Sequence, residues 1–322
     1  MVQYGYTLSS EEHGPRELVR NARRAEELGF DFLSISDHFH PWVDAQGHSP
    51  FVWSVLGGIA SVTDRIRVGT GVTAPIMRIH PAVLAQAAAT TAVMMPGRFF
   101  FGVGSGEALN EHITGEHWPQ ADVRLEMLEE AVHVIRELWK GELFSHRGTH
   151  YTVENARLYT TPDTPPAVIV SGAGPKATEL AGRIGDGYWG MAPDRELVET
   201  FTRAGGSGPK YAQITLCWAE DEASARKTAA QVWPNTALQG QLAQELALPS
   251  YFESAVAPLT EEQLTQNVPC GPDVATVLDV VKTYRDAGFD HLYFHQIGPD
   301  QDGFLSFAER ELLPALHQPG GS

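Results

Sequence analysis

The chain has 322 residues, of which 43% are hydrophobic and 20% are charged. These fractions are typical of a folded globular protein and exclude a disordered chain, which combines low hydrophobicity with high charge density. The formal net charge of −17 at pH 7 argues against nonspecific nucleic-acid binding, because that function requires clustered lysine and arginine. An anionic ligand must therefore be held by local features, such as a helix N-terminus or a few well-placed cations.

Cysteine usage and the N-terminal residues favour a cytoplasmic protein. Cys217 and Cys270 are far apart and lack the spacing of a zinc site, so we expect neither a disulfide framework nor a metal site. The first residues lack the basic and apolar segments of a secretory signal. No run of roughly 18 apolar residues predicts a membrane span. We expect the partner to be a small-molecule substrate, with no nucleic acid and no membrane.

The first half of the chain alternates strands with helices. Strands are expected at residues 2–8, 30–35, 66–72 and 99–103, and helices at residues 15–28, 50–62 and 81–94. In the first helix Leu18, Ala22 and Ala25 form one apolar stripe, and Gly29 ends it. Successive units with nearly continuous apolar strands indicate βαβ units that build a parallel sheet covered on both faces.

The alternation continues in the second half, with two interruptions. Strands are expected at residues 167–170, 187–191, 211–218 and 291–295, and helices at residues 124–139, 176–184, 194–203, 221–232, 272–287 and 304–316. Residues 142–160 contain two alternating segments around Arg147–Gly148, which indicate an inserted β-hairpin. Residues 233–267 are irregularly helical and rich in Gln, Ala and Leu, and we interpret them as a lid-like insertion.

Eight strands in alternation with helices favour one domain, residues 1–322, that forms a (β/α)8 TIM barrel. An open doubly wound sheet would carry a glycine-rich dinucleotide motif after its first strand, and residues 6–10 contain none. Active sites of TIM barrels lie at the carboxyl ends of the strands. The residues that follow predicted strands and carry suitable side chains are Glu11, Asp37, His38, Trp42, Thr73, Ala74, Arg78, Ser105, Gly106, Glu107, Asn110, Ser171, Lys176, His295 and Gln296.

The loop after the second strand, residues 36–42, contains two histidines, a carboxylate and an indole. Such a density of side chains that handle protons is typical of a catalytic loop, and a charged surface loop is the alternative. We expect His40 to form hydrogen bonds within this loop.

Two glycine-rich turns follow later strands. Residues 102–106 have the small side chains that let a planar ligand or an anion approach the backbone closely. In residues 171–176, Pro175 begins a helix with free N–H groups and Lys176 adds a cation, which suits a phosphate. Turns of this kind also occur for geometric reasons alone.

Four motifs carry a family resemblance. They are Asp37-His38-Phe39-His40-Pro41-Trp42, residues 69–86, residues 102–111 and residues 181–187. Together they resemble the bacterial-luciferase-like superfamily, and within it the enzymes that use coenzyme F-420, an 8-hydroxy-5-deazaflavin. The first and third motifs are similar to the subgroup of F-420-dependent glucose-6-phosphate and secondary alcohol dehydrogenases. The likeness covers nearly the whole chain and implies a luciferase-type barrel and a homodimer.

The resemblance also implies roles for residues at matching positions. Asp37 would contact the deazaflavin ring, His38 would accept the proton of the substrate hydroxyl, and Trp42 would steady the developing intermediate. Glu107 would protonate the ring as hydride arrives, and Glu11 matches an active-site carboxylate. Gly71 and Val72 match a bulged stretch, often with a cis peptide, that supports the ring. Further coenzyme-binding residues are expected at Ala74, Ser105, Gly106, Asn110, Ala173, Gly174 and Lys176.

These residue types suit an alcohol oxidation by hydride transfer. The reaction needs a base for the hydroxyl proton and an acid for the ring, on opposite sides of the transfer. A histidine side chain, whose ordinary pKa is about 6.5, and a carboxyl whose pKa is raised by burial meet these needs.

The match fails where the glucose-6-phosphate enzymes bind the sugar phosphate. The two lysines of that subgroup correspond to Asp194 and Ala243, and the arginine lies near Gln266–Asn267. Arg195 and Lys210 are the nearest substitutes. We therefore expect a dehydrogenase or reductase acting on an alcohol or sugar without phosphate.

Three alternatives remain. One is a sugar-6-phosphate dehydrogenase with a changed phosphate site, and another is an FMN-dependent monooxygenase of the same superfamily. The third is a barrel that carries F-420 without catalysis.

Overall fold

The computed structural model describes residues 2–238 and 240–317. The strands are β1 (Gln3–Leu8), β2 (Phe32–Ile35), β3 (Arg67–Thr70), β4 (Phe99–Val103), β5 (Phe144–Arg147), β6 (Thr152–Ala156), β7 (Val168–Ser171), β8 (Gly187–Gly190), β9 (Lys210–Leu216) and β10 (His291–Gln296). Eight parallel strands close a barrel in the order β1-β10-β9-β8-β7-β4-β3-β2. The predicted (β/α)8 TIM barrel is confirmed.

Helices surround the barrel on its outside and at the carboxyl ends of its strands. They are α1 (Pro15–Leu28), α2 (Val52–Ala60), α3 (Pro81–Met94), α4 (Ala108–Glu111), α5 (Ala121–Trp139), α6 (Pro175–Ile184), α7 (Arg195–Arg203), α8 (Glu222–Val232), α9 (Gln241–Glu245), α10 (Pro249–Val256), α11 (Glu261–Thr265), α12 (Val274–Ala287), α13 (Gln301–Phe307) and α14 (Leu313–Leu316). None of those in the described residues is both long and apolar enough to cross a bilayer.

Local capping signals explain where several helices begin and end. Helix α1 starts at Pro15 and stops before Gly29, whose φ of 89° is left-handed, as the sequence predicts. The predicted final helix at residues 304–316 begins earlier, because the Asp300 side chain accepts a hydrogen bond from Gly303 N. It is also interrupted by a π-helical turn, Ala308–Leu312, before α14.

Strands β5 and β6 form the antiparallel hairpin predicted within residues 142–160. The Glu130 carboxylate of α5 fixes this hairpin to the barrel. It lies 3.0 Å from Nε2 of His146 and accepts hydrogen bonds from the backbone N–H groups of Thr149, His150 and Tyr151. Burial alone would raise the pKa of Glu130, but these hydrogen bonds lower it below its usual value.

An aromatic layer fills the amino-terminal half of the barrel interior. Trp189 and Tyr211 stack with ring centroids 5.2 Å apart, and the Phe100 ring lies 5.1 Å from Tyr211 and 6.4 Å from Trp189. The layer is tight, because a Cβ atom added at Gly69 would come within 2.1 Å of the Phe100 ring. Ligands must therefore bind at the opposite, carboxyl end of the strands, as is usual for this architecture.

Residues 233–267, expected to form a lid, contain the 3-10 helix Pro234–Ala237 and helices α9, α10 and α11. Phe252 of α10 is fully buried in an apolar cluster with Val43 and Leu109. This segment therefore covers the loop after β2 and the residues that follow β4. It is also tied to α5, because the buried Arg124 guanidinium pairs with Glu245 of α9 at 3.2 Å.

Candidate active site

The loops after β1, β2 and β4 meet at the carboxyl end of the barrel. Glu11, in the loop after β1, is 3% exposed. Its Oε2 atom accepts hydrogen bonds from Ser36 Oγ at 2.5 Å and from Ser9 Oγ at 3.2 Å. Burial raises the pKa of Glu11, but the nearby His38 and the hydrogen bond from Ser36 outweigh it, and the pKa is lowered overall. Glu11 is therefore an anion beneath the mouth of the barrel.

His38 faces this anion. Its Nδ1 atom lies 3.1 Å from the carbonyl oxygen of His40, so Nδ1 carries a proton and donates it. Its Nε2 atom lies 3.4 Å from Oε1 of Glu11 and is the nitrogen that can gain or lose a proton. The Trp42 ring lies against the imidazole, with centroids 5.0 Å apart. The arrangement can accept a proton at Nε2 and stabilise the resulting cation.

Asp37 points away from His38 and into a buried network. Oδ2 accepts a hydrogen bond from Thr73 Oγ1 at 2.8 Å, and Oδ1 accepts one from Arg78 Nη2 at 2.9 Å. Arg78 in turn lies beside Glu111, whose Oε2 accepts a hydrogen bond from Arg78 N at 2.8 Å. One guanidinium thus lies between two buried carboxyl groups.

Asn110 joins the loop after β4 to the loop after β2. Its Oδ1 atom accepts hydrogen bonds from Phe39 N at 2.8 Å and His40 N at 3.2 Å, and its Nδ2 atom lies 3.4 Å from Glu107 Oε2. The expectation that His40 bonds within its own loop holds for its carbonyl oxygen, which faces His38 Nδ1, but not for its side chain, because His40 Nδ1 lies 2.8 Å from the carbonyl oxygen of Leu109, across the site. The loop after β2 is therefore positioned by α4.

Glu107 immediately precedes α4 and is half-buried at the rim of the site. The turn before it needs glycine, since Gly106 has a φ of 72° and a Cβ atom there would come within 2.9 Å of Ala74 Cβ. Ser105 is half-buried beside it. This turn therefore places Ala74, Ser105 and Gly106 on one wall together with the Glu107 carboxyl.

The peptide bond between Gly71 and Val72 is cis, as the family resemblance implies. A Cβ atom at Gly71 would come within 2.1 Å of Ser34 Oγ and 2.8 Å of the Trp189 ring, so the backbone lies directly on the aromatic layer. Within the described residues, Ser34 Oγ and Thr7 Oγ1 are buried without a hydrogen-bond partner. This surface consists of backbone and small side chains and is closely packed. The face of a flat ring can lie directly against such a surface.

The predicted phosphate turn lies elsewhere on the carboxyl face. Ala173 and Gly174 line a cavity of about 580 Å³ between α6 and α7. Lys176 also lines it, but its Nζ atom pairs with Asp122 at 2.9 Å and the side chain is largely exposed. The cation predicted for a phosphate is therefore shared with a carboxylate of α5.

The residues aligned with the sugar-phosphate site are engaged in other ways. Asp194 caps α7 by accepting a hydrogen bond from Glu196 N at 2.9 Å. Arg195 donates a hydrogen bond to the carbonyl oxygen of Asp286. Lys210 is excluded as a substitute, because it begins β9 at the opposite end of the barrel, where it pairs with Asp290.

Some residues of the site were not anticipated from the sequence. Glu12 lies 3.0 Å from Nε2 of buried His295, whose ring is 4.3 Å from that of Trp233. Glu111, the last residue of α4, was also missed, because its partner Arg78 lies in a distant part of the sequence.

Comparisons with known proteins agree with this geometry. The sequence profile of the family described as luciferase-like monooxygenase matches residues 2–291. The F-420-dependent glucose-6-phosphate dehydrogenase of Microbacterium testaceum is 35% identical over 330 residues, which cover 98% of each chain. The enzyme of the same name from Tsukamurella paurometabola is 36% identical over 334 residues, 99% of each chain. A solved F-420-dependent secondary alcohol dehydrogenase in complex with an F-420–acetone adduct is 29% identical, with a TM-score of 0.90 over 98% of this chain and 99% of that one.

Proposed function

This chain belongs to the luciferase-like monooxygenase family, and from that premise we propose that it is a coenzyme F-420-dependent oxidoreductase acting on CH–OH groups. The relatives that it matches over their whole length are F-420-dependent dehydrogenases. The observation that carries the proposal is the pair of His38 and Glu11 on one loop wall, joined through Asn110 to Glu107 on the other. Hydride transfer from an alcohol requires a base for the hydroxyl proton and an acid for the coenzyme ring, and these two walls would supply them.

The site fits the deazaflavin coenzyme. When bound, F-420 supplies a ring that accepts or returns a hydride. The flat surface at Gly71 and Val72 would support the ring, and Ala74, Ser105 and Gly106 would line it. Asp37 would lie beside it, and Ala173, Gly174 and Lys176 would bind the anionic tail. FMN is the alternative coenzyme.

His38 would accept the hydroxyl proton of the substrate at Nε2. The Nδ1 hydrogen bond to His40 O leaves Nε2 as the basic nitrogen. The Glu11 carboxylate at 3.4 Å stabilises the imidazolium that forms, in the way that a buried carboxylate orients and stabilises a catalytic histidine. The Trp42 ring, whose centroid lies 5.0 Å from that of the imidazole, would shield the histidine from water. Glu107 would hold the proton that the coenzyme ring takes up.

The substrate that this site favours has no phosphate group. Ala243 packs against an apolar cluster that includes Phe252, and the Trp42 ring lies 5.3 Å from Phe252. A phosphate dianion placed here would lose its hydration without gaining a cation, which is costly. An uncharged alcohol, sugar or the corresponding carbonyl compound fits this wall.

A substrate panel tests this choice. The purified protein is mixed with oxidised F-420 and with secondary alcohols, neutral sugars or sugar 6-phosphates, and the loss of oxidised-coenzyme absorbance is followed. We expect turnover with uncharged substrates. Turnover confined to sugar phosphates would favour the second candidate, a sugar-6-phosphate dehydrogenase, which the names of the relatives support.

Coenzyme binding separates the proposal from a monooxygenase. Titration of the protein with F-420 and with FMN, followed by fluorescence quenching, is expected to show preference for F-420. Tight FMN binding without F-420 binding would overturn the proposal.

We further propose a single domain with residues 233–267 acting as a lid over the substrate, a homodimer and a cytoplasmic location. The tie between Arg124 and Glu245 supports the lid. Family likeness supports the dimer, and the low cysteine count suits the cytoplasm. Light scattering on the purified protein would give the oligomeric state.

A further inference from the structure

Arg78 lies at the centre of a buried group of charges behind the loop that follows β2. Its Nη2 atom is 2.9 Å from Oδ1 of Asp37, and its Nε atom is 3.5 Å from Oε1 of Glu111. The two carboxyl side chains are each 1% exposed, and the Arg78 side chain is 7% exposed. The guanidinium therefore donates a hydrogen bond to Asp37, whereas its contact with the Glu111 side chain is an ion-pair contact without a hydrogen bond. Because a guanidinium is a rigid planar group, one orientation of Arg78 places it beside both carboxyl groups.

Glu111 also supports the other wall of the site. Its Oε2 atom accepts a hydrogen bond from the backbone N–H of Arg78 at 2.8 Å. Its Cγ atom lies only 3.1 Å from the position that a Cβ atom at Gly106 would occupy. Glu111 therefore packs directly beneath the glycine turn that precedes Glu107, while it holds the side chain that anchors Asp37.

We propose that Arg78 and Glu111 are positioning residues for the coenzyme. Together they hold the buried Asp37 carboxylate in the wall beside the ring site and set the distance between the loop after β2 and the turn after β4. This inference rests on the proposed contact between Asp37 and the coenzyme.

The charges of Arg78 and its carboxyl partners explain why Arg78 should affect F-420 binding as well as folding. Without Arg78, the Asp37 carboxylate would lie buried without its guanidinium partner and next to the Glu111 carboxyl group, so Asp37 would have to take up a proton or move. Either change would alter the wall that Asp37 presents to the ring. An ion pair with a purely structural role would change stability but leave the affinity of the folded protein for F-420 intact.

The test compares this pair with an ion pair of the same chemistry on the surface. Arg183 and Glu129 pair at 2.9 Å between α6 and α5, with side chains 50% and 43% exposed. The variants are Arg78→Met, Arg78→Lys, Glu111→Gln and Asp37→Asn, with Arg183→Met as the matched control. For each full-length protein, the dissociation constant for F-420 is measured by fluorescence quenching, the rate of hydride transfer is measured at saturating coenzyme, and the melting temperature is recorded.

We expect Arg78→Met and Asp37→Asn to weaken F-420 binding and slow hydride transfer by roughly 10- to 100-fold, the range that small misplacements of reacting groups produce. Arg78→Lys should recover part of the loss, because an ammonium keeps the charge but cannot reach both carboxyl groups. Glu111→Gln should have a smaller effect, since an amide oxygen still accepts from Arg78 N. Arg183→Met should change neither quantity.

Two other outcomes would each reject part of this picture. If Asp37→Asn weakens binding but Arg78→Lys and Glu111→Gln match wild type, the positioning role is wrong and the assignment of Asp37 stands. If Asp37→Asn leaves binding unchanged, the assignment of Asp37 and the inference fail together. Should Arg78→Met not fold, the lysine and glutamine variants decide the question.

Discussion

At the scale of single residues, the neighbours of His38 hold its imidazole in one orientation, as its proposed role in proton transfer requires. The carbonyl oxygen of His40 accepts the Nδ1 proton, and the Glu11 carboxylate faces Nε2. Ser36 donates a hydrogen bond to Glu11 that holds its carboxylate in place. Each of these groups comes from a loop directly after a strand, so the barrel fixes the orientation of the imidazole before any substrate binds.

Replacement of the proposed base and acid should separate chemistry from binding. We expect His38→Ala and Glu107→Gln to slow hydride transfer by at least about 100-fold, the lower end of general acid–base contributions, while F-420 binding is retained. Stopped-flow measurements of a single turnover give the rate, and fluorescence quenching gives the affinity. If both variants match a measurable wild-type rate, His38 and Glu107 are not the base and the acid, whereas the absence of hydride transfer in wild type and variants alike would indicate a carrier of F-420.

Glu111 should make stability depend on pH in an unusual direction. Burial, together with the nearby Asp37 and Glu107, raises the pKa of Glu111 to about 7 from its usual 4.5, despite the opposing effect of Arg78. Between these values the folded protein holds a proton that the unfolded chain releases, so this residue lowers stability as the pH rises. The loss should reach at most about 3 kcal/mol above pH 7.

Urea unfolding at about pH 5 and about pH 8 measures this effect. In Glu111→Gln the decline in the free energy of unfolding between the two pH values should be smaller than in wild type, because the glutamine does not ionise. Other titrating groups are common to both proteins and cancel in the comparison. An identical decline in the two proteins would show that Glu111 does not titrate in this range.

At the scale of elements, the four-residue helix α4 connects the loop after β2 to the turn after β4. Its Asn110 accepts two backbone N–H groups of the loop after β2 and donates toward Glu107. Substitutions of Asn110 can therefore remove these interactions separately. Asn110→Ala removes all of them, whereas Asn110→Asp keeps the acceptor and loses the donor.

We expect Asn110→Ala to destabilise the protein by about 1–3 kcal/mol, since two N–H groups lose their partner, and to speed amide hydrogen exchange in residues 36–42. Asn110→Asp should keep these amides protected but slow hydride transfer, because Glu107 loses its neighbouring donor and gains a negative neighbour. Exchange measured by mass spectrometry distinguishes the two. Equal exchange in both variants and wild type would show that α4 does not hold the loop.

The elements most accessible to sequence reasoning were those with local signals. Alternating apolar strands and helices predicted the eight-stranded barrel, and Pro15 and Gly29 marked the ends of α1. Helix α4 is too short to show periodicity, and the partnership of Glu111 with Arg78 joins residues 33 positions apart. Such contacts depend on how the strands close, which no local pattern encodes.

The candidate site was predictable to the same extent. The positions of Glu11, His38 and Glu107 directly after predicted strands indicated that they share one site. The cis peptide at Gly71–Val72 was expected only from the family resemblance. The direction of the His40 side chain was wrong, because its partner Leu109 lies in another loop. The pairing of Lys176 with Asp122 was missed for the same reason.

For the whole molecule, the aromatic layer sets how much change the barrel interior accepts. Gly69→Ala should destabilise the protein by about 1–3 kcal/mol, because the new methyl group would overlap the Phe100 ring and force it to move. Gly57→Ala is the matched control, since a Cβ atom in that helix meets only Met94 Cε at 4.0 Å. It should stabilise by up to about 1 kcal/mol. Urea unfolding measures both, and equal effects would contradict close packing at Gly69.

The same layer has a consequence for the traffic of molecules through the enzyme. With Phe100, Trp189 and Tyr211 filling one end of the barrel, a substrate that enters above Gly71 must leave as product along the path by which it came. Substrate entry and product release then use the same opening beneath residues 233–267. Accumulated product should accordingly act as a competitive inhibitor toward substrate, and the exchange of one for the other should pace repeated turnovers.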